Sequence, residues 1–220
     1  MQTKKVFWGE LALMAGITIL SLGITLMIKS NFGITPVASL PFVLSKIITL
    51  ISFGTWNYLL QIISIILLVA LTRNIKTGYY LSLFIVIGFG YMLDLFEYLS
   101  GYLPVNLPLQ VIYYILGFLG VAFGVCILIK SCMPILPFDT FVRDISSHFE
   151  LSVKWVKTSF DLSCVILAII FGLIFLGNIE GIGLGTLICA LLTGKFVALF
   201  GQRLDRRYQF QPAIKLAGHS

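Results

Sequence analysis

Six stretches of 16 to 21 residues carry almost no charge: Leu11–Ile28, Trp56–Leu71, Gly78–Phe96, Leu109–Ile129, Phe160–Leu176 and Ile182–Leu199. An α-helix rises about 1.5 Å per residue, so a segment near 20 residues crosses the ~30 Å hydrocarbon core of a bilayer. Six such segments in 220 residues leave too little polar sequence to coat a soluble particle. Only 15 basic and 9 acidic residues are present, 11% of the chain, with mean hydropathy +1.03, whereas soluble domains run near 25% charged. The sequence predicts an all-α membrane protein with six transmembrane helices in a single membrane domain. It excludes a soluble enzyme and intrinsic disorder.

The net charge of +6 is not gathered into a nucleic-acid patch. It is distributed between the apolar runs, as topology signals are. With the N-terminus cytoplasmic, Lys4, Lys5, Arg73, Lys76, Lys130, Arg143, Lys154, Lys157, Arg203, Arg206, Arg207 and Lys215 all fall inside, and only Lys29 and Lys46 outside. This bias predicts a multi-pass plasma-membrane protein with both termini cytoplasmic, residues 205–220 forming a cytoplasmic tail. The first run is read as a retained helix, because it is long and no A-x-A cleavage site follows it. Trp8, Trp56 and Trp155 stand at span starts, where aromatic belts belong.

The sequence contains an internal duplication. Gly23-Ile-Thr-Leu-Met-Ile-Lys29-Ser30 recurs as Gly124-Val-Cys-Ile-Leu-Ile-Lys130-Ser131, an offset of 101. Ile34/Ile135, Pro36/Pro137 and Ser45/Ser146 continue it, Trp56 and Trp155 follow at nearly the same spacing, and Gly90–Phe96 resembles Gly194–Phe200 at an offset of 104. Matching polar and special residues are better evidence of a repeat than matching apolar ones. The repeats run over about 9–98 and 109–204. Each holds three spans, and an odd number of spans inverts the second copy. The expected architecture is two inverted three-helix repeats, each with an interrupted or amphipathic segment after its first helix, a construction common among secondary transporters.

In both repeats a proline follows the Lys-Ser pair. Thr35-Pro36 reads as N-cap and N1 of a helix; Leu136-Pro137 caps less well, but Asp139 sits in the first turn, where the helix dipole favours an acid. The backbone of 31–35 and 132–136 must be covered by protein or water. Pro36–Phe53 is apolar enough to re-enter, lie flat or span. Phe138–Phe149 has an apolar stripe of Phe138, Phe141, Val142, Ile145 and Phe149 opposite Asp139, Arg143, Asp144 and Ser147, and reads as an amphipathic helix at the interface or on a polar cavity. Broken helices facing a substrate path, and interfacial helices that merely turn the chain, both fit the two segments.

Charges at membrane depth are expensive and need a reason. Asp161 and Lys195 fall at similar depth in consecutive spans and are expected to face each other or a shared cavity, as a coupling pair, a structural ion pair, or a lysine reaching the headgroups. Asp94 and Glu97 mark either a cation-attracting mouth or a solvated helix end. Arg143 is expected to pair with Asp139, four residues earlier. Lys29, Pro36, Lys130, Pro137, Asp139, Asp161 and Lys195 are the candidates for a substrate or ion path.

Gly120-x-x-x-Gly124 permits close helix contact. Gly181, Gly183 and Gly185 do not form a nucleotide fingerprint, since no strand precedes them. Cys126, Cys132, Cys164 and Cys189 read as small buried hydrophobes, with no metal spacing. His148 and His219 are isolated. Acid, base and nucleophile do not converge, so no enzyme, cofactor or metal is expected.

Gly23 with Gly33-Ile34-Thr35-Pro36, Phe53-Gly54-Thr55, Pro137-Phe138-Asp139, Gly183-Leu184-Gly185-Thr186 and Gly194 together resemble the YczE/YyaS/YitT-type family of bacterial integral membrane proteins. The resemblance spans nearly the whole chain and departs at Val37, where the family often has an aromatic. It implies a multi-spanning plasma-membrane protein of a kind often assigned to transport. It implies no substrate and no catalytic residues.

Two functions remain open on the sequence. The first is a small secondary transporter or permease of an unknown small-molecule or ion substrate, with the bilayer as its solvent and homo-oligomerisation possible. The second is a non-transporting accessory or scaffold protein acting through its cytoplasmic Phe138–Lys157 loop.

Overall fold

The computed structural model describes residues 5–131, 133 and 136–211. Among the described residues, six helices are long and apolar enough to cross a membrane: α1 (Gly9–Ser30), α3 (Phe53–Thr72), α4 (Thr77–Ser100), α5 (Leu107–Lys130), α7 (Val153–Phe171, continued by a π-helical turn to Leu176) and α8 (Leu184–Arg207). Two 12-residue helices separate them, α2 (Pro36–Ile47) and α6 (Pro137–His148). The protein is thus a helical, multi-pass membrane protein. At 12 residues α2 is about 18 Å long, too short to span the bilayer, so no seventh span arises at 36–53.

The helix boundaries follow local chemistry. Ser52 caps α3, accepting from the Thr55 N–H. Prolines occupy the first turns of α2, α5 and α6, where no N–H is needed. Asn31 (φ 58°) and Arg73 (φ 50°) close α1 and α3 in the left-handed conformation.

The centre of the fold is the crossing of α1 and α5. Gly16 lies against Gly124 and Leu128, and Gly23 lies against Gly117 and Val121. The two helices are therefore antiparallel. Because these glycines lack a side chain, backbone meets backbone: a Cβ on Gly23 would stand 2.7 Å from the Val121 nitrogen, and one on Gly124 2.8 Å from the Leu20 nitrogen. The sequence motif Gly120-x-x-x-Gly124 is only half used, since Gly120 makes ordinary contact at 3.4 Å. Leu20, Ile24, Met27, Phe118, Val121 and Leu128 fill the surrounding core.

The outer helices pack in matching pairs. α4 lies on α1 and α8 on α5, while α2 packs against α7 and α6 against α3. One match is missing among the described residues: α3 packs closely on α4, whereas α7 and α8 form no packed pair. Gly54 and Gly90 make the α3–α4 approach so close that a Cβ on Gly54 would overlap the Gly90 carbonyl. A Cβ on Gly194 would meet nothing within 4 Å.

A short parallel ribbon joins the chain ends, β1 (Lys5–Trp8) with β2 (Tyr208–Gln211), in register Lys5↔Tyr208 to Trp8↔Gln211. The start of the expected tail is thus folded back onto the N-terminal segment. Neither strand is long enough to announce itself in sequence, and β2 directly continues α8.

Candidate functional site

The two Lys-Ser pairs end α1 and α5 in the same way. The Ser30 hydroxyl donates to the Met27 carbonyl (2.6 Å) and accepts from the Phe32 N–H (3.3 Å). Ser131 does the same with Leu128 (2.8 Å) and Met133 (3.3 Å). Each partner is displaced by 101 residues. Lys29 reaches the Gly101 carbonyl at 3.4 Å, just past α4. Lys130 pairs with Asp205 near the end of α8. Gly101 and Asp205 differ by 104, the spacing of the third-span match. Lys29 therefore ties the end of α1 to the end of α4, and Lys130 the end of α5 to the end of α8.

Pro36 and Pro137 open α2 and α6 and are buried. Thr35 is the N-cap residue of α2, but its side chain makes no cap bond. The interrupted backbone before α2 is covered by protein, as a membrane requires. Ile34 N–H donates to the Gly181 carbonyl (3.0 Å) and Gly185 N–H to the Phe32 carbonyl (2.8 Å). Gly33 takes φ 123° here, and a Cβ on Gly183 would lie 2.5 Å from the Phe32 oxygen. The glycines of 181–185 serve this close approach. Residues 132, 134 and 135 of the second interruption lie outside the described residues.

Asp161 does not meet Lys195. Its partner is Lys157, one turn earlier on α7, at 3.0 Å. Lys195 is exposed on α8, and α7 docks on α2 rather than on α8. Consecutive spans at equal depth need not be neighbours, which is where the expectation failed. Asp139 joins the same cluster, 3.9 Å from Lys157. It does not pair with Arg143, which turns to the adjacent Asp144 at 2.9 Å.

Asp144, on the polar face of α6, is only 5% exposed and lies on a polar cavity, one of the two settings its pattern allows. Its Oδ2 accepts from the Tyr79 hydroxyl (2.7 Å) and Lys76 (3.1 Å), and its Oδ1 from Arg143. Burial alone pushes this carboxyl up, but the hydrogen bonds from Arg143, Tyr79 and Lys76, with the Arg143 charge, outweigh it and hold the group below its ordinary value. The network docks α6 on the start of α4 and borders a polar cavity of about 330 Å³. Phe149, assigned to the apolar stripe, is exposed instead.

At the other end of α3, Asp94 is a capping group from a neighbouring helix. Its oxygens accept from the Gly54 N–H and the Ser52 hydroxyl, both at 2.6 Å. Sequence reading missed a further feature, a buried polar stripe on α3 at i, i+4, i+7: Asn57 (3% exposed), Gln61 (1%) and Ser64 (5%). Gln61 Nε2 donates to Asn57 Oδ1 at 2.6 Å. Helical spacing of these residues within an apolar run was the available signal. Cys126, Cys164 and Cys189 are free and buried; Cys132 lies outside the described residues.

Comparison with known proteins fits this picture. The model of a family of unknown function, DUF6198, matches residues 7–202. An uncharacterized protein of Bacillus subtilis (strain 168), YyaS, is 30% identical over 197 residues, covering 88% of this chain and 92% of that protein. No solved structure matches. The chain belongs to the family of unknown function DUF6198, and the YyaS-type likeness read from its glycines and prolines holds.

Proposed function

We propose that the protein is a small secondary transporter built from two inverted repeats, α1–α4 and α5–α8. The observation that carries this reading is the α1–α5 crossing. Adding 101 to one residue of a contact and subtracting it from the other turns Gly16–Gly124 into Gly117–Gly23, and Gly16–Leu128 into Gly117–Met27. A contact set that maps onto itself between antiparallel helices is that of a two-fold axis lying in the membrane plane, the symmetry of many alternating-access transporters. The exchanged packing of α2 on α7 and α6 on α3 supports the same axis. So does the unmatched pair, closed at α3–α4 and open at α7–α8, because alternating access needs two halves that differ at any moment.

The positive-inside bias of the sequence supports an orientation in a plasma membrane with the Lys29 end of the bundle facing outward and the Lys130 end facing the cytoplasm. An accessory role through the Phe138–Lys157 loop would fall to its second half, where Phe149, Leu151, Val153 and Trp155 are exposed, since Phe138, Val142 and Ile145 are buried against the bundle. The test is solute uptake by the purified full chain in proteoliposomes, offered a mixed metabolite and ion pool and read by mass spectrometry. Gradient-driven accumulation of a solute above empty vesicles is expected; no accumulation of any solute would refute the transport reading.

A further inference from the structure

The helices α3 and α7 begin alike, with Ser52 and Ser152 at their N-caps and their first residues 100 positions apart. In that register the buried stripe of α3 falls on the charges of α7. Asn57 corresponds to Lys157, Gln61 to Asp161, and Ser64 to Cys164. The likeness is geometric as well. Each i,i+4 pair is in contact, Gln61 hydrogen-bonded to Asn57 at 2.6 Å and Lys157 ion-paired with Asp161 at 3.0 Å. Each is followed by a small buried group, Ser64 at 5% and Cys164 at 7% exposure. No residue type is shared between the stripes, so the match is invisible to identity.

Both places hold more acceptor than they use. Gln61 is 1% exposed and its Nε2 is spent on Asn57, while its Oε1 is buried with no hydrogen-bond partner among the described residues. A buried carbonyl left so, in the middle of a spanning helix, calls for a donor or a cation. At the other place two carboxylates, Asp139 and Asp161, share the single ammonium of Lys157, leaving one negative charge over. Oxygen acceptors and net negative charge favour a hard cation and repel an anion.

We infer that Asn57–Gln61 and Lys157–Asp161–Asp139 are equivalent stations of one route, and that the ligand passing them is a small monovalent cation, either an alkali ion or a protonated amine. This rests on the transport reading above. Lys157 is the resident cation at its station and must be displaced toward Asp139 when the ligand arrives. The amide station has no such competitor.

The experiment uses the purified full chain in proteoliposomes, with uptake of radioactive rubidium in one arm and of radiolabelled methylammonium in the other. One of the two is expected to accumulate above empty vesicles, and the arm that responds identifies the source. Gln61→Leu and Asp161→Asn are each expected to lower that uptake by about tenfold or more, and Gln61→Glu, which keeps the acceptor, to retain it. Thermal melting of each variant in detergent separates a lost route from a lost fold. Uptake unchanged in Gln61→Leu overturns the route. Transport of an anionic or neutral solute with neither cation moving overturns the ligand class and leaves the transport reading standing; no transport of any solute overturns both.

Discussion

Replacing Gly23 by alanine puts a methyl group where α1 and α5 touch through their backbones. That carbon would stand 2.7 Å from the Val121 nitrogen, 2.8 Å from the Gly117 oxygen and 3.1 Å from the Gly120 carbonyl carbon. None of these is the end of a flexible side chain, so relief requires the helices to part. Ordinary contact begins at 3.4 Å, so the separation is 3.4 − 2.7 = 0.7 Å. A gap of 0.5–1 Å forfeits roughly a quarter to a half of each dispersion well along the contact, and overpacking a tight core costs about 1–3 kcal/mol. Gly23→Ala is therefore expected to destabilise by about 2–3 kcal/mol. Gly124→Ala, its counterpart at 2.8 Å from the Leu20 nitrogen, should cost the same. Gly120→Ala, with its nearest neighbour at 3.4 Å, should stay within about 0.5 kcal/mol. Equilibrium unfolding in mixed micelles measures all three. Equal losses for Gly120→Ala and Gly23→Ala, or no loss for Gly23→Ala, would refute the reasoning.

Other perturbations test separate contacts. Asp144→Asn removes the acceptor charge shared by Lys76, Tyr79 and Arg143 and should cost about 1–3 kcal/mol, read as a lowered melting temperature. Because the folded Asp144 carboxyl is held below its ordinary value, its contribution is complete above the unfolded pKa of about 3.9 and is lost as pH falls through the folded value. The wild-type melting temperature should lose that component in acid, and the Asp144→Asn curve should lack it. Asp94→Ala strips the acceptor from the Gly54 N–H and Ser52 hydroxyl and should cost about 1 kcal/mol, as loss of a cap does. Gly90→Ala should destabilise, since its Cβ would lie 2.8 Å from the Gly54 oxygen, and Gly194→Ala should be neutral, since nothing lies within 4 Å; equal effects would count against the asymmetry of the two halves.

What could be read in advance was set by chain-local physics. Apolar length marked the six spans, and proline with the Lys-Ser pair marked the starts of α2 and α6. What could not be read depended on which helix lies beside which. Asp161 found Lys157 on its own helix because α7 docks on α2. Asp144 sits on the polar side of α6 by pattern, but α4 brings Tyr79 and Lys76 to it. Gly117 carries no signal in the sequence, because the four-residue spacing of Gly120 and Gly124 is a motif and the seven-residue spacing used here is not. The stripe of Asn57, Gln61 and Ser64 lay inside an apolar run without a charge to flag it.

The inverted arrangement of the two repeats is tested most directly at the equivalent loops before α3 and α7. Leu50 is 96% exposed and Glu150, 100 residues later, is also exposed. In a background with the four native cysteines replaced, Leu50→Cys and Glu150→Cys are labelled in intact cells by a membrane-impermeant maleimide, before and after permeabilisation. Inverted repeats require Leu50→Cys to react from outside and Glu150→Cys only after permeabilisation. Reaction of both from the same side would contradict the account.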